Sequence, residues 1–225
     1  MSTYRVRYET VEFGPLDVHV CALRDKQEFS DDDGDAERLG ITSANWSLFG
    51  VLWASGVVLA QLMYEYDIEG LRILEVGCGL GLSSLVLASR SADITATDYH
   101  PEAKNFLDRN TKLNEIRNIE FLRTSWEDDG EDESLGQFDL IIGSDILYER
   151  GLLPELAAFL KRRARPTCEI ILVDPRRENR GTFDRLMEKD GWTSKRIDVQ
   201  PSPTINPPYD GQLLCFSRAA TSSTP

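Results

Sequence analysis

The sequence predicts an α/β fold: a doubly wound, mainly parallel sheet with helices on both faces. Two patterns predict it. Short apolar runs at 73–76, 94–98, 119–122, 138–143 and 169–174 alternate with segments whose apolar residues recur at helical spacing. The first run also turns sharply into a helix through Gly77, Gly79 and Gly81, the kind of junction parallel sheets carry at their ligand-binding edge. The 225 residues suffice for one well-buried core. Residues 1–218 are therefore read as a single domain, with 1–46 as an extension and 219–225 as a small, polar, disordered tail.

Polar and apolar side chains alternate over 4–12 and 16–22 around Gly14-Pro15, which predicts a β-hairpin. Residues 25–37 hold seven acids in thirteen positions and read as a solvated loop. Over 47–66, Leu48, Val51, Leu52, Val58, Leu59, Leu62 and Met63 recur at helical spacing, with Ser47 as N-cap and Trp53 inside the helix. After Asp98, Pro101 suits a first helical turn, and Ala103, Phe106, Leu107 and Leu113 line one face. Six acids in the seven residues 127–133 predict an exposed loop. Helices are expected over 152–163 and 179–190, and the last strands over 192–199 and 212–217.

The glycine junction carries the chemistry. A strand that turns into a helix through glycines leaves backbone N–H groups uncovered at the helix start. The spacing is Gly-x-Gly-x-Gly, not the Gly-x-Gly-x-x-Gly of dinucleotide sites. Glu75, just before the turn, would repel a pyrophosphate and attract a cation. Together these features point to S-adenosyl-L-methionine, whose amino-acid end and sulfonium are positive. Asp98 ends the next apolar run, 21 residues beyond Gly77, where a βαβ unit supplies a carboxylate to a ribose.

The bulk properties narrow the partners. A net charge of −13 disfavours a nucleic-acid duplex and suits a basic protein or peptide. No apolar run approaches the roughly 18 residues of a membrane span, and the first residues lack the apolar stretch of a signal peptide. Cys21, Cys78, Cys168 and Cys215 are scattered, with two histidines in the chain, so neither a disulfide framework nor a metal site is expected. A reduced, cytoplasmic setting fits.

Glu75-Val-Gly-Cys-Gly-Leu-Gly81, Asp98 and Gly143-Ser-Asp-Ile-Leu-Tyr148, with Trp53 and Ser125-Trp126, resemble the seven-β-strand class I methyltransferases. More narrowly they resemble the protein-lysine methyltransferases with an Asp-x-x-Tyr motif after the fourth strand, over about residues 53–192. The resemblance implies a seven-stranded sheet of order 3-2-1-4-5-7-6 with strand seven antiparallel. It implies that Gly77, Cys78 and Gly79 pass the methionine part of the cofactor, that Asp98 binds the ribose, and that Trp126 lies near the adenine. Ser144 stands where the family more often has alanine, and Trp53 matches a tryptophan that closes the site. Asp145 and Tyr148 would orient the acceptor lysine. The two acidic tracts are not part of the family pattern.

Asn206-Pro-Pro-Tyr209 resembles a motif of methyltransferases acting on adenine amino groups or glutamine amides. There it follows strand four; here it lies about 60 residues later, where prolines making a turn suffice. The loop 200–211 is nonetheless expected to wall the acceptor channel, with Asn206 or Tyr209 reaching inward. A small-molecule methyltransferase and a catalytically silent binding module share the same cofactor half and remain alternatives.

Overall fold

A computed structural model describes residues 4–127, 135–200 and 209–218. Two strands, β1 (Val6–Phe13) and β2 (Leu16–Leu23), form the expected hairpin around Gly14-Pro15. The remaining strands are β3 (Arg72–Val76), β4 (Asp93–Asp98), β5 (Glu120–Arg123), β6 (Phe138–Ser144), β7 (Ala164–Asp174), β8 (Thr193–Asp198) and β9 (Gln212–Arg218). They make one sheet of order β5-β4-β3-β6-β7-β9-β8. Only β9 runs antiparallel to its neighbours β7 and β8, so the order and direction implied by the resemblance hold.

Helices α1 (Asp35–Arg38), α2 (Ala54–Glu65), α3 (Leu82–Ser89), α4 (Ala103–Leu113), α5 (Leu153–Arg163) and α6 (Arg180–Lys189) complete the element order. The sheet divides the core in two. The hairpin, α2, α3 and α4 pack on one face, through residues such as Val20, Leu59, Leu85 and Phe106. Helices α5 and α6 cover the other, through Leu156, Phe159, Phe183 and Met187. Alternate residues of β3 serve the two sides, Ile73 one and Leu74 the other, as a strand buried on both faces requires.

Three expectations need correction. The segment 47–66 is not one helix: a 3-10 turn at Leu48–Gly50 is followed by extended Val51 and Trp53, and α2 starts only at Ala54. Tertiary contact decides this, because a Cβ on Gly50 would lie 2.4 Å from Leu23 Cδ1 of the hairpin. Ser47 makes no side-chain cap bond. The acidic tract 25–37 is more than a solvated loop, since Phe29 is buried edge-on to Phe49 and His100. There Asp31 accepts the backbone N–H groups of Ala36 and Glu37 at the start of α1. Finally, β7 begins five residues earlier than expected, because Ala164 pairs with Phe138 of β6 and Cys168 with Arg218 of β9.

Candidate active site

The parallel register brings the strand ends to one level. Val76 pairs with Thr97 and Gly143, and Ser144 with Val173. Gly77, Asp98, Asp145 and Asp174 therefore leave the sheet at its carboxyl edge, where open α/β sheets bind ligands. A cavity of about 640 Å³ lies there, within the usual range for small-molecule sites. Trp53, Glu75, Gly77, Cys78, Gly79, Asp98, Trp126, Ser144, Asp145 and Tyr148 all border it.

Gly81, also assigned to the cofactor, does not line this cavity. It is the left-handed residue (φ 76°) that starts α3, and a Cβ there would lie 2.3 Å from Leu107 Cδ1. Gly77 and Gly79 are also left-handed, at φ 64° and 53°. A Cβ on Gly79 would meet the Phe49 carbonyl oxygen at 2.9 Å. The glycine turn is thus pressed from outside by the 3-10 turn while its inner side faces the cavity. Several N–H groups of this junction are used within the protein: Cys78 donates to Thr97 O, Gly79 to Asp98 and Ser84 to Glu75.

Two carboxylates, buried Glu75 and half-buried Asp98, frame the turn. Asp98 Oδ2 accepts the Gly79 N–H at 2.8 Å, and Oδ1 accepts the His100 N–H at 2.8 Å. Burial raises its pKa above the usual carboxylate value despite these bonds. Glu75 is only 4% exposed and accepts both the N–H and the hydroxyl of Ser84. Burial pushes its pKa up to about 7. The folded protein therefore holds this proton more tightly than the unfolded chain does. The stabilising proton is fully present below about 4.5 and lost as the pH rises through 7, a cost on the order of 3 kcal/mol at alkaline pH. Glu75→Gln is expected to raise the melting temperature of the ligand-free protein at pH 8 and to leave it nearly unchanged at pH 4.5. Thermal unfolding at the two pH values checks this; an equal effect at both would remove the cost from Glu75.

Aromatic groups close the cavity. Trp53, the residue before α2, donates its indole N–H to Leu48 O at 2.9 Å, and the Lys26 ammonium lies 4.2 Å from its ring centroid. Trp126 follows β5 and is half-buried, with its carbonyl accepting from Arg162. Ser144 Oγ faces α2 at Gly56, where an added Cβ would sit 3.6 Å away.

The other end of the cavity is polar. Asp145 adopts a left-handed conformation (φ 56°), which Asp tolerates better than most residues. Its N–H donates to Val173 O at 2.8 Å, and its carboxylate pairs with Arg177 at 2.5 Å. It caps no helix: α5 begins after Leu152 without a side-chain cap. Tyr148 is 40% exposed at the cavity mouth, not packed in the core. The phenol's pKa is pushed up to about 12, first by desolvation and then by Glu149 and Asp98. Tyr209 does not border the cavity, yet its hydroxyl lies 3.3 Å from Ser55 Oγ on α2. Asn206 and the 127–133 tract beyond Glu127 lie outside the described residues.

Sequence reasoning missed Arg177, His100, Phe49 and the segment 39–42, all of which border the cavity. Arg177 lies three residues beyond Asp174, the end of β7, and its partner Asp145 is 32 residues away, so no local signal marks it. Phe49 stacks on His100 with centroids 4.0 Å apart, a contact with no local signature.

The parallel sheet, reversed last strand and strand-end cavity define a class I methyltransferase fold. The solved structure of a ribosomal protein L11 methylase from Lactobacillus delbrueckii subsp. bulgaricus superposes with TM-score 0.58, at 20% identity over 75% of this chain and 81% of that one. The lysine methyltransferase family profile matches residues 36–190, and the chain belongs to that family. It is 30% identical over 139 residues to protein N-lysine methyltransferase METTL21A of Danio rerio, covering 58% of this chain and 63% of that protein. It is 26% identical over 171 residues to the calmodulin-lysine N-methyltransferase of Arabidopsis thaliana, covering 72% of this chain and 54% of that protein. The chain thus spans less than two thirds of either relative.

The residues present fit S-adenosyl-L-methionine, the cofactor of this class. The cavity is large enough, Gly77 and Gly79 open onto it without side chains, and buried Glu75 and half-buried Asp98 border it. A buried carboxylate is costly without a cation, and a cationic ligand relieves that cost. Among the described residues no group of His, Cys, Asp and Glu could hold a metal ion.

Proposed function

We propose that this chain is an S-adenosyl-L-methionine-dependent protein-lysine N-methyltransferase. The observation that carries the reading is Asp145, Tyr148 and Arg177 together at the open end of the cavity that Glu75, Gly77 and Asp98 border, in a chain of this family. In this reading Gly77, Cys78 and Gly79 hold the methionine part of the cofactor, Asp98 the ribose, and Trp126 the adenine end. Trp53 and Ser144 bound the region where methyl donor and acceptor meet. When bound, the cofactor supplies a methyl group on a sulfonium, which passes to an amine lone pair as the carbon–sulfur electrons return to sulfur. No nucleophilic side chain is needed. The chain must align the acceptor within about 3–3.5 Å and exclude water.

A lysine amine of pKa about 10.4 is protonated at pH 8, and neutralising it there costs roughly 3 kcal/mol. The part-apolar cavity lowers that cost by disfavouring the ammonium. Asp145 and the Tyr148 hydroxyl orient the amine, and the ring of Tyr148 faces the charge that develops. An excess of 38 acidic over 25 basic residues favours a basic protein substrate over nucleic acid. Free thiols at Cys21, Cys78, Cys168 and Cys215 suit a cytoplasmic setting. No helix among the described residues is long and apolar enough to cross a membrane.

Incubating purified enzyme with a lysate and methyl-labelled cofactor tests the reading. Label in a protein band supports it, whereas label in the small-molecule pool or binding without transfer refutes it. Strand β8 runs parallel to the central strands, so the chain leaves it at the sheet's carboxyl edge. Replacing Asn206 and Tyr209 together by alanine is expected to raise the acceptor KM or lower kcat severalfold, with cofactor affinity unchanged. Normal kinetics in that double variant would make the loop a plain connection.

A further inference from the structure

Arg177 sits where a lysine methyltransferase faces an electrostatic difficulty. A carboxylate beside the acceptor orients the amine but also holds it as ammonium, which has no lone pair to give. An unpaired carboxylate within about 4–6 Å raises an amine pKa by roughly 1–3 units. Asp145 is not unpaired: the Arg177 guanidinium bonds it at 2.5 Å and lies 5.9 Å from the Tyr148 ring centroid.

The placement is built from both sides. Backbone N–H of Arg177 donates to Asp174 Oδ1 at 2.7 Å, which fixes the turn after β7. Asp174 Oδ2 is buried without a hydrogen-bond partner. Asp145 is held in its left-handed conformation by Val173. The charged and titratable groups facing this cluster come from every neighbouring element. Asp145, Tyr148 and Glu149 follow β6, Asp174 ends β7, Arg180 opens α6, Tyr209 precedes β9 and Asp98 ends β4. Glu149 is itself bonded by Asn45 at 2.6 Å. Carboxylates outnumber cations here, and Arg177 is the cation in direct contact with Asp145.

Resting on the lysine reading above, we propose that Arg177 is a positioning residue that neutralises Asp145, so that the incoming lysine gives up its proton and is not trapped as ammonium. The proton leaves to solvent through the open mouth beside Tyr148. Asp145 then keeps one oxygen on the guanidinium and offers the other to the neutral amine as a hydrogen-bond acceptor. Arginine suits this task because it stays charged at every pH where the enzyme works.

The test is the pH dependence of methyl transfer to the lysate protein that wild-type enzyme labels, with label on lysine verified by mass spectrometry. Wild type, R177Q and R177K are compared, and calorimetric cofactor binding verifies that each is folded. R177Q is expected to shift the rise of kcat with pH upward by about one unit. Turnover near pH 7 then falls about tenfold and recovers at alkaline pH, while the acceptor KM stays level or drops. R177K, which keeps the charge, restores the wild-type profile. Should R177Q not fold, D174N serves instead: it removes a negative charge beside the guanidinium, keeps the acceptor for the Arg177 N–H, and shifts the rise downward. Coincident pH profiles, or an R177K as shifted as R177Q, overturn the role of Arg177. Absence of lysine label with wild-type enzyme overturns the reading beneath it.

Discussion

Asp98→Ala is expected to weaken S-adenosyl-L-methionine binding by about ten- to a hundredfold, corresponding to roughly 1.5–3 kcal/mol for hydrogen bonds to a charged group. Two losses combine. The carboxylate proposed to hold the ribose is gone, and the N–H groups of Gly79 and His100 lose their acceptor. The glycine turn therefore loosens as well, and the melting temperature should fall by a few degrees. The fold survives, since Ile94 and Ala96 still anchor β4 in the core. Isothermal calorimetry on the folded variant checks the expectation. Unchanged affinity would leave Asp98 as a structural clasp for the turn and nothing more.

The second large effect concerns turnover. Asp145→Ala and Tyr148→Phe are expected to hold cofactor within about threefold of wild type yet transfer methyl on the order of a hundredfold more slowly, the typical cost of a misplaced reactant. Neither residue belongs to the glycine turn. Asp145 follows β6 and is tied to Arg177, while Tyr148 stands open at the mouth. Single-turnover kinetics separate the slow chemical step from binding. A fall in cofactor affinity matching the fall in rate would return both residues to a structural role. Asp145→Ala also releases Arg177, so its loss should exceed that of Tyr148→Phe.

What could be read from the sequence follows from how local each feature is. Apolar runs 73–76 and 138–143 are strands because buried parallel strands need apolar side chains on both faces, and periodicity reports that directly. Gly77 and Gly79 announce positive φ by residue type alone. The break at Val51–Trp53 was not legible, because Leu48, Val51 and Leu52 continue a helical spacing while contacts from Leu23 and Gly79 hold the chain in another shape. Phe29 shows the same limit. A single aromatic among acids looks like loop sequence until Phe49 and His100 are found beside it. Gly81 was legible as a turn but not as to which side it faces, since only Leu107 reveals that. Arg177 escaped notice because its partner Asp145 is 32 residues away in the chain.

Where the methyl group goes decides whether this chain is a lysine methyltransferase. Purified enzyme, incubated with a lysate and cofactor carrying a deuterated methyl, is followed by tandem mass spectrometry of the labelled protein. The heavy methyl is expected on a lysine Nζ, with the signal strongly reduced for Asp145→Ala at saturating cofactor. A heavy methyl on arginine, on glutamine or on a small molecule, from an enzyme that binds the cofactor normally, would contradict it.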